Sequence, residues 1–455
     1  MGPAAVSQAD VRPRRLLPMR QLSLIAIYWF GINAVWGGYE RFGQAQVELI
    51  VGEGARGLTT SVLEMLGALV AIAVVPTMGV ISDYTSSRFG KRKGYIITGA
   101  IFDLLFLGGL ALLAQAEPVG WSGEALGSTS TLVLYAVLFL ALQFSSNFGQ
   151  GPYQGYVPDL VAEPQVGIAS GAVGVMRTLG NIGGAVVMLT IGNALGLWGP
   201  ALFLIGVVEF VLAALTFLLV REGPTGKPRQ GRSWFSIARE AWGLDVLRER
   251  SFLRMTAVRL LFLMGTGIFI NVSKWYLDDS MGLTADEQTL WGFVGLGAAG
   301  ISTALAAIPA ARISNRTGRK PVIWGACLVA AIGLGLIAVA PSPPLAVLGL
   351  AFMGAGSGAY LAVDWALMTE TIPLITSGRY MGLANIANSI SGPIGLLLAG
   401  HFIIDAFTRA GHIDLGPRFA VALGIPALAL AAIVLIGVHP RRDPRDSSPE
   451  PEATG

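Results

Sequence analysis

Charge is what this chain has least of. Only 13% of its 455 residues are Asp, Glu, Lys or Arg, while 53% are apolar; a soluble domain carries about 25% charged residues. A water-facing surface of this size would be short of polar cover, so lipid is expected as the outer solvent. Cysteine is nearly absent. The single Cys327 excludes an internal disulfide and a thiolate metal cluster, and its apolar surroundings suit a small buried hydrophobe. The three histidines, His401, His412 and His439, have no metal-ligand spacing. No Gly-rich phosphate loop is present, which argues against ATP-driven work, and no enzyme signature appears. A formal net charge of +3 gives no reason to expect a nucleic-acid partner.

What is abundant is apolar sequence in long runs, together with 60 glycines, which let transmembrane helices pack closely. Stretches of about 20 apolar residues suffice to cross a bilayer. They are expected at 21–48, 60–82, 94–115, 130–155, 169–193 and 199–220, and again at 255–277, 289–311, 321–340, 345–371, 380–404 and 417–438. The first run shows no small-residue cleavage site and reads as a retained span. The outline is a polar N-tail (1–20), a six-helix bundle (21–220), a polar linker (221–254), a second bundle (255–438) and a disordered tail (439–455). Six spans, a linker and six spans is the plan of an all-α, two-bundle membrane carrier. One such chain suffices, so a monomer is expected.

Placement of the basic residues orients the chain. With the N-terminus inside, the two tails, the linker and the even-numbered loops hold 24 of the 31 Lys and Arg; opposite loops and span ends hold five, and two, Arg177 and Arg259, fall within spans. This asymmetry predicts cytoplasmic termini by the positive-inside rule. After Ser233 the linker turns amphipathic, which suits a solvated connector or an interfacial helix.

The two halves echo each other. GVISDYTSSRFGKRKGY (Gly79–Tyr95) follows span 2 and ARISNRTGRKPV (Ala311–Val322) follows span 8. Each places a short polar residue, then Arg, Gly and basic residues, between corresponding helices. Asp83, Arg88, Gly90, Lys91 and Arg92, with Arg316 and Arg319 in the second copy, are expected to tie helix ends and act as a cytoplasmic gate. Asn315 replaces the acid there, so that latch is expected to be weaker.

The stretch VVPTMGVISDYTSSRFGKRKGYIITG (Val74–Gly99) resembles the signature loop of the major facilitator superfamily, and within it the glycoside–pentoside–hexuronide:cation symporters, with a sucrose-transporter-like TSSRFGKRKGYI portion. FSSNFGQGPYQGYVPDLVAEPQVGIASG (Phe144–Gly171), GAYLAVDWALMTETIP (Gly358–Pro373) and MGLANIAN (Met381–Asn388) resemble members of the same branch. The resemblance implies the major facilitator fold, a sugar or sugar-like solute, and symport with a proton or Na+. It also marks departures. Melibiose-type members carry acidic cation ligands where this chain has Ala71 and Val75, and plant sucrose carriers have an acid in span 4 where Gln143 is the nearest match. NVSKW (Asn271–Trp275) stands in place of an Asp-rich stretch. A proton-coupled exporter of a drug or metabolite therefore stays open beside the symporter, and a non-transporting receptor on the same fold is a third reading.

Ionisable groups at membrane depth are functional candidates by default. Arg177, deep in span 5, is expected to grip hydroxyls or a carboxylate and to need an acid from among Glu40, Glu64 and Asp364. Asp364, Glu64 and Glu40 are the candidate coupling groups. Arg259 and Glu370 lie near span ends and are expected to snorkel, and Asp103 and Glu209 sit in spans 3 and 6, which are peripheral in the superfamily. Amides and aromatics suited to a sugar are Tyr28, Asn33 and Trp36 in span 1, Asn147, Gln150 and Gln154 in span 4, Asn271 and Trp275 in span 7, and Asn385 and Asn388 in span 11. No cofactor is expected beyond a coupling proton or Na+.

Overall fold

In bilayer hydrocarbon every backbone polar group must find its partner within the chain, and long helices satisfy that demand. The computed structural model describes residues 16–115, 128–222, 231–239, 250–371 and 377–439. Within them run twelve helices long and apolar enough to cross a membrane. They are α1 (Met19–Val51), α2 (Arg56–Asp83), α3 (Lys93–Ala114), α4 (Ser128–Leu160), α5 (Ile168–Asn193) and α6 (Trp198–Leu219). The second half holds α7 (Arg250–Ser280), α8 (Ala285–Thr317), α9 (Arg319–Val339), α10 (Pro343–Met368), α11 (Ile386–Arg409) and α12 (Gly416–Ile436). A short helix, Trp234–Arg239, lies in the linker. The expected N-tail (through residue 15), most of the C-tail (440–455) and linker residues 223–230 and 240–249 lie outside the described residues.

Large apolar side chains such as Leu112, Leu305 and Ile433 stand outward, as a lipid-facing wall requires. Each half closes around its own apolar core, and Cys327 is buried in that of the second half.

Glycine sets the closest helix contacts. A Cβ on Gly184 of α5 would fall 2.0 Å from the Ala34 carbonyl oxygen of α1, and one on Gly358 of α10 would fall 2.1 Å from that of Thr303 on α8. The pairs α1–α5 and α8–α10 therefore pack backbone to backbone in the manner of small-residue membrane interfaces. The halves meet mainly along α2–α11, α1–α7 and the ends of α5 and α8. Their shared contacts gather at the end away from the Asp83–Lys93 loop. That loop marks what is called here the basic end; the other is the far end.

Candidate functional site

Between the halves lies a cavity of 610 Å³, within the size range of small-molecule sites. Helices α1, α2, α4 and α5 line it from one half, and α7, α10 and α11 from the other; α3, α6, α8, α9 and α12 contribute nothing to it. Along α1 the lining residues Trp29, Asn33, Trp36, Glu40, Gly43 and Val47 recur every three or four positions, which is one helical face. Arg177 and Asn181, four apart, do the same on α5, as do Arg259, Leu263, Thr266 and Ile270 on α7.

Of the residues singled out from sequence, Asn33, Trp36, Asn147, Gln150, Arg177, Asn271, Asn388, Glu40, Glu64 and Asp364 all line the cavity. Several amides are braced by their own helices. Asn33 donates to Trp29 O, Asn271 to Gly267 O, and Asn147 to both Gln143 O (2.7 Å) and Gln143 Oε1 (3.2 Å). The side-chain oxygens of Asn33 and Asn271 remain for a ligand.

The charged groups fall into two sets. Arg259 and Asp364 pair across α7 and α10 at 3.5 Å. Arg259 Nε donates to Asn388 Oδ1 (2.8 Å), and Tyr360, stacked on Phe262, donates to Asp364 Oδ1 (2.8 Å). Glu40, Glu64 and Arg177 form the second set. All three line the cavity, and none has an ion-pair partner among the described residues. The guanidinium of Arg177 lies over the Trp29 ring, 5.0 Å from its centroid, a cation–π contact that aims it without neutralising it.

These contacts correct several expectations. Arg177 takes an indole where an acid was expected: Asp364 is held by Arg259, and neither Glu40 nor Glu64 pairs with Arg177 among the described residues. Arg259 does not snorkel: it is buried and cavity-facing. Tyr28 is fully buried behind the cavity wall and donates to Glu209. Trp275 is buried at the far end beneath Arg56, 5.0 Å from its ring centroid. Gln154 lies toward the basic end of α4 with its side chain exposed, beyond the cavity. The side chains of Asn385 and Glu370 lie outside the described residues. Ala71 and Gln143, two positions where the resemblance implied an acid, do face the cavity. Glu64 sits seven residues before Ala71, two turns along the same face of α2. Sequence reading missed Trp29, Asn181, Thr266 and Ser391; the helical spacing from Asn33, Arg177, Arg259 and Asn388 was the signal that could have found them.

At the basic end, Arg92 joins three elements. Its Nη2 pairs with Asp83 (2.6 Å), its Nε with Asp159 (2.8 Å), and its Nη1 donates to Pro152 O (2.8 Å). Lys91 also pairs with Asp159, at 2.6 Å. Glu222 accepts the N–H groups of Arg92 and Lys93 at the start of α3. Burial pushes its carboxyl above the usual glutamate range, and these N–H groups and the Arg92 charge pull it back. Gly90 has φ of 120°, and a Cβ there would meet Glu222 Oε2 at 2.4 Å. Arg88 lies over the ring of Phe89. In the second copy Arg319 donates to Ser314 and Asn315 (2.7 Å each), and Arg316 is exposed. The expected gate cluster thus welds α2, α3, α4 and α6 within one half.

The charge pairs between the halves lie at the far end. Arg56 of α2, fully buried, pairs with Glu48 of α1 (2.7 Å) and with Asp279 of α7. Lys274 of α7 reaches Glu48 (3.0 Å) and Asp278 (2.6 Å). Arg41 of α1 donates to Gln288 of α8 (2.8 Å). Asp405 of α11 accepts the backbone N–H groups of Gly57 and Leu58, both at 2.8 Å, and so caps α2 from the opposite half. This latch shuts the cavity at that end, whereas Arg177 and Asn388, nearer the basic end, are exposed.

Twelve membrane helices in two halves around a central polar cavity define an integral membrane carrier fold. The family model for the Major Facilitator Superfamily matches residues 22–396 and again 255–454, and the chain belongs to that family. Its solved neighbours share the fold: a D-xylose–proton symporter (TM-score 0.68, 15% identity, 93% of this chain and 97% of that one) and the nucleoside transporter NupG (0.66, 16%, 92% and 99%). Among curated relatives, rice sucrose transport protein SUT1 is 27% identical over 27% of this chain, and the match spans only 24% of SUT1. The minor myo-inositol transporter IolF of Bacillus subtilis is 26% identical over 36% of each chain. The multidrug efflux pump Tap of Mycobacterium tuberculosis is 24% identical over 86% of this chain and 89% of its own. This is a family of transporters, not of enzymes.

Proposed function

We propose that the protein is a secondary transporter that moves a sugar or sugar-like solute across the cytoplasmic membrane by alternating access, coupled to a proton or another small cation. One observation carries this reading: a polar cavity between the halves lined by Glu40, Glu64 and Arg177, none of which has an ion-pair partner among the described residues. Amides from both halves (Asn33, Asn147, Asn181, Asn271, Asn388) suit vicinal hydroxyls, and Trp36 offers a flat apolar face to a ring. Sucrose and myo-inositol transporters among the relatives support this solute class.

Glu40 and Glu64 are the proposed coupling groups, replacing the carboxylates missing at Ala71 and Gln143. The Arg259–Asp364 pair is the corresponding element of the second half. By the positive-inside rule the basic end faces the cytoplasm, both termini included. The far-end latch then closes the outer face and leaves the cavity facing inward. The working unit is a single chain.

Proteoliposomes under an imposed proton or Na+ gradient test this directly. Uptake of sucrose, myo-inositol or xylose that collapses with the gradient is the expected result; no gradient-driven flux of any polyol overturns it. Export of a drug in exchange for protons is the second reading, favoured by the end-to-end match with Tap. Flux of a lipophilic cation in the same vesicles would select it.

A further inference from the structure

Away from the cavity, α1, α3, α4 and α6 converge on two carboxyl groups. Asp103 of α3 and Glu209 of α6 are both completely buried, and among the described residues neither has a Lys or Arg partner. Ser145 Oγ of α4 donates to Asp103 Oδ1. Tyr28 of α1 donates its hydroxyl to Glu209 Oε1 at 3.4 Å. Tyr153, packed beside Tyr28, spends its own hydroxyl on Ile25 O. That leaves Asp103 Oδ2 and Glu209 Oε2 without a fixed donor, although the two carboxyl groups lie within hydrogen-bonding reach of each other.

An ionised carboxylate only accepts hydrogen bonds, so two of them in contact require a proton between them. Without one, two like charges would be buried side by side, at a cost of several kcal/mol per ion. The backbones around the pair pack closely: a Cβ on Gly31 of α1 would lie 2.9 Å from Glu209 Cα of α6, and one on Gly99 of α3 would lie 2.9 Å from Ser145 O of α4.

We infer that Asp103 and Glu209 form a resident proton-binding site, with one proton held between the two carboxyls as the join between α3 and α6. This proton is not the coupling ion. None of the four polar residues around it lines the cavity, and all four are buried, so it stays in place while the cavity fills and empties.

Infrared spectra of the full chain in lipid nanodiscs, before and after transfer to deuterated buffer at neutral pH, read this site. The expected result is a protonated-carboxyl band that resists deuteration and is missing from the Asp103→Asn/Glu209→Gln double variant. A wild-type spectrum without such a band overturns the inference, as does a band that shifts at once in deuterated buffer or survives in the double variant. Thermal unfolding gives an independent reading. Asp103→Asn supplies an amide N–H in place of the proton and is expected to keep the wild-type melting temperature, whereas Asp103→Leu, similar in size but without a donor, lowers it. Equal melting temperatures for the two variants overturn the inference. Neither measurement depends on which solute is carried.

Discussion

Asp364 of α10 and Arg259 of α7 are joined at 3.5 Å inside the cavity wall, and each also holds a neutral partner, Tyr360 and Asn388. A buried pair of this kind is costly to break from one side, because the remaining charge keeps its desolvation penalty. Asp364→Ala is expected to lower stability by about 3–5 kcal/mol, read as a fall in melting temperature of the purified protein. Asp364→Asn keeps the Tyr360 contact and is expected to cost less while abolishing uptake. Arg177→Ala, which removes an exposed cation with no ionic partner among the described residues, should abolish uptake with melting temperature and membrane insertion unchanged.

Glu64→Gln and Glu40→Gln separate coupling from binding. Each keeps a polar side chain on the cavity wall but cannot bind and release a proton. Gradient-driven accumulation is expected to fall to background, while exchange of labelled solute across equilibrated vesicles persists. Loss of both activities together would place these residues in solute binding instead.

The far-end latch is open to a conformational test. Arg56→Ala strips Glu48 and Asp279 of their shared cation. Every 1.4 kcal/mol removed from the latch shifts the balance between closed and open far ends about tenfold. Amide hydrogen exchange over residues 44–58 and 270–280 is expected to rise, while that of the Asp83–Lys93 loop stays unchanged.

Gly90 occupies the left-handed region at φ 120°, against the carboxylate of Glu222. Gly90→Ala adds both backbone strain and a clash, and a loss of about 1–3 kcal/mol is expected. Glu222 gives a pH test. Its carboxyl is held above the ordinary range by burial, so the folded state favours the protonated form more than the unfolded chain does. That contribution is present at low pH and is lost as pH rises through the folded value. Glu222→Gln should flatten this part of the stability-versus-pH curve, followed by thermal unfolding just above the normal glutamate range (about 4.3).

The helices were legible because membrane depth imposes a one-dimensional rule: about 20 apolar residues mark a span wherever they fall. The cavity face was partly legible, since an Arg or Glu within a span is too expensive to be idle, and Arg177, Glu40, Glu64 and Asp364 all proved to face inward. Partnership was not legible. Hydropathy carries no information on which of two buried cations meets Asp364, and α7–α10 packing selected Arg259. Trp275 and Tyr28 were misplaced for a related reason. An aromatic in a span reads the same whether its helical face turns to the cavity or away, and only neighbouring helices decide. Asp279 and Gln288 stand outside the apolar runs, yet they meet Arg56 and Arg41 from the other half.

Cys327 lies buried in the second-half core, and it is the chain's sole thiol. A maleimide or spin label offered to the native protein finds little to react with. Pairs of cysteines introduced across the two ends would therefore carry their probes alone, without first rebuilding the sequence. Distances measured between such labels, with and without solute, would give the molecule a ruler for its own rocking motion.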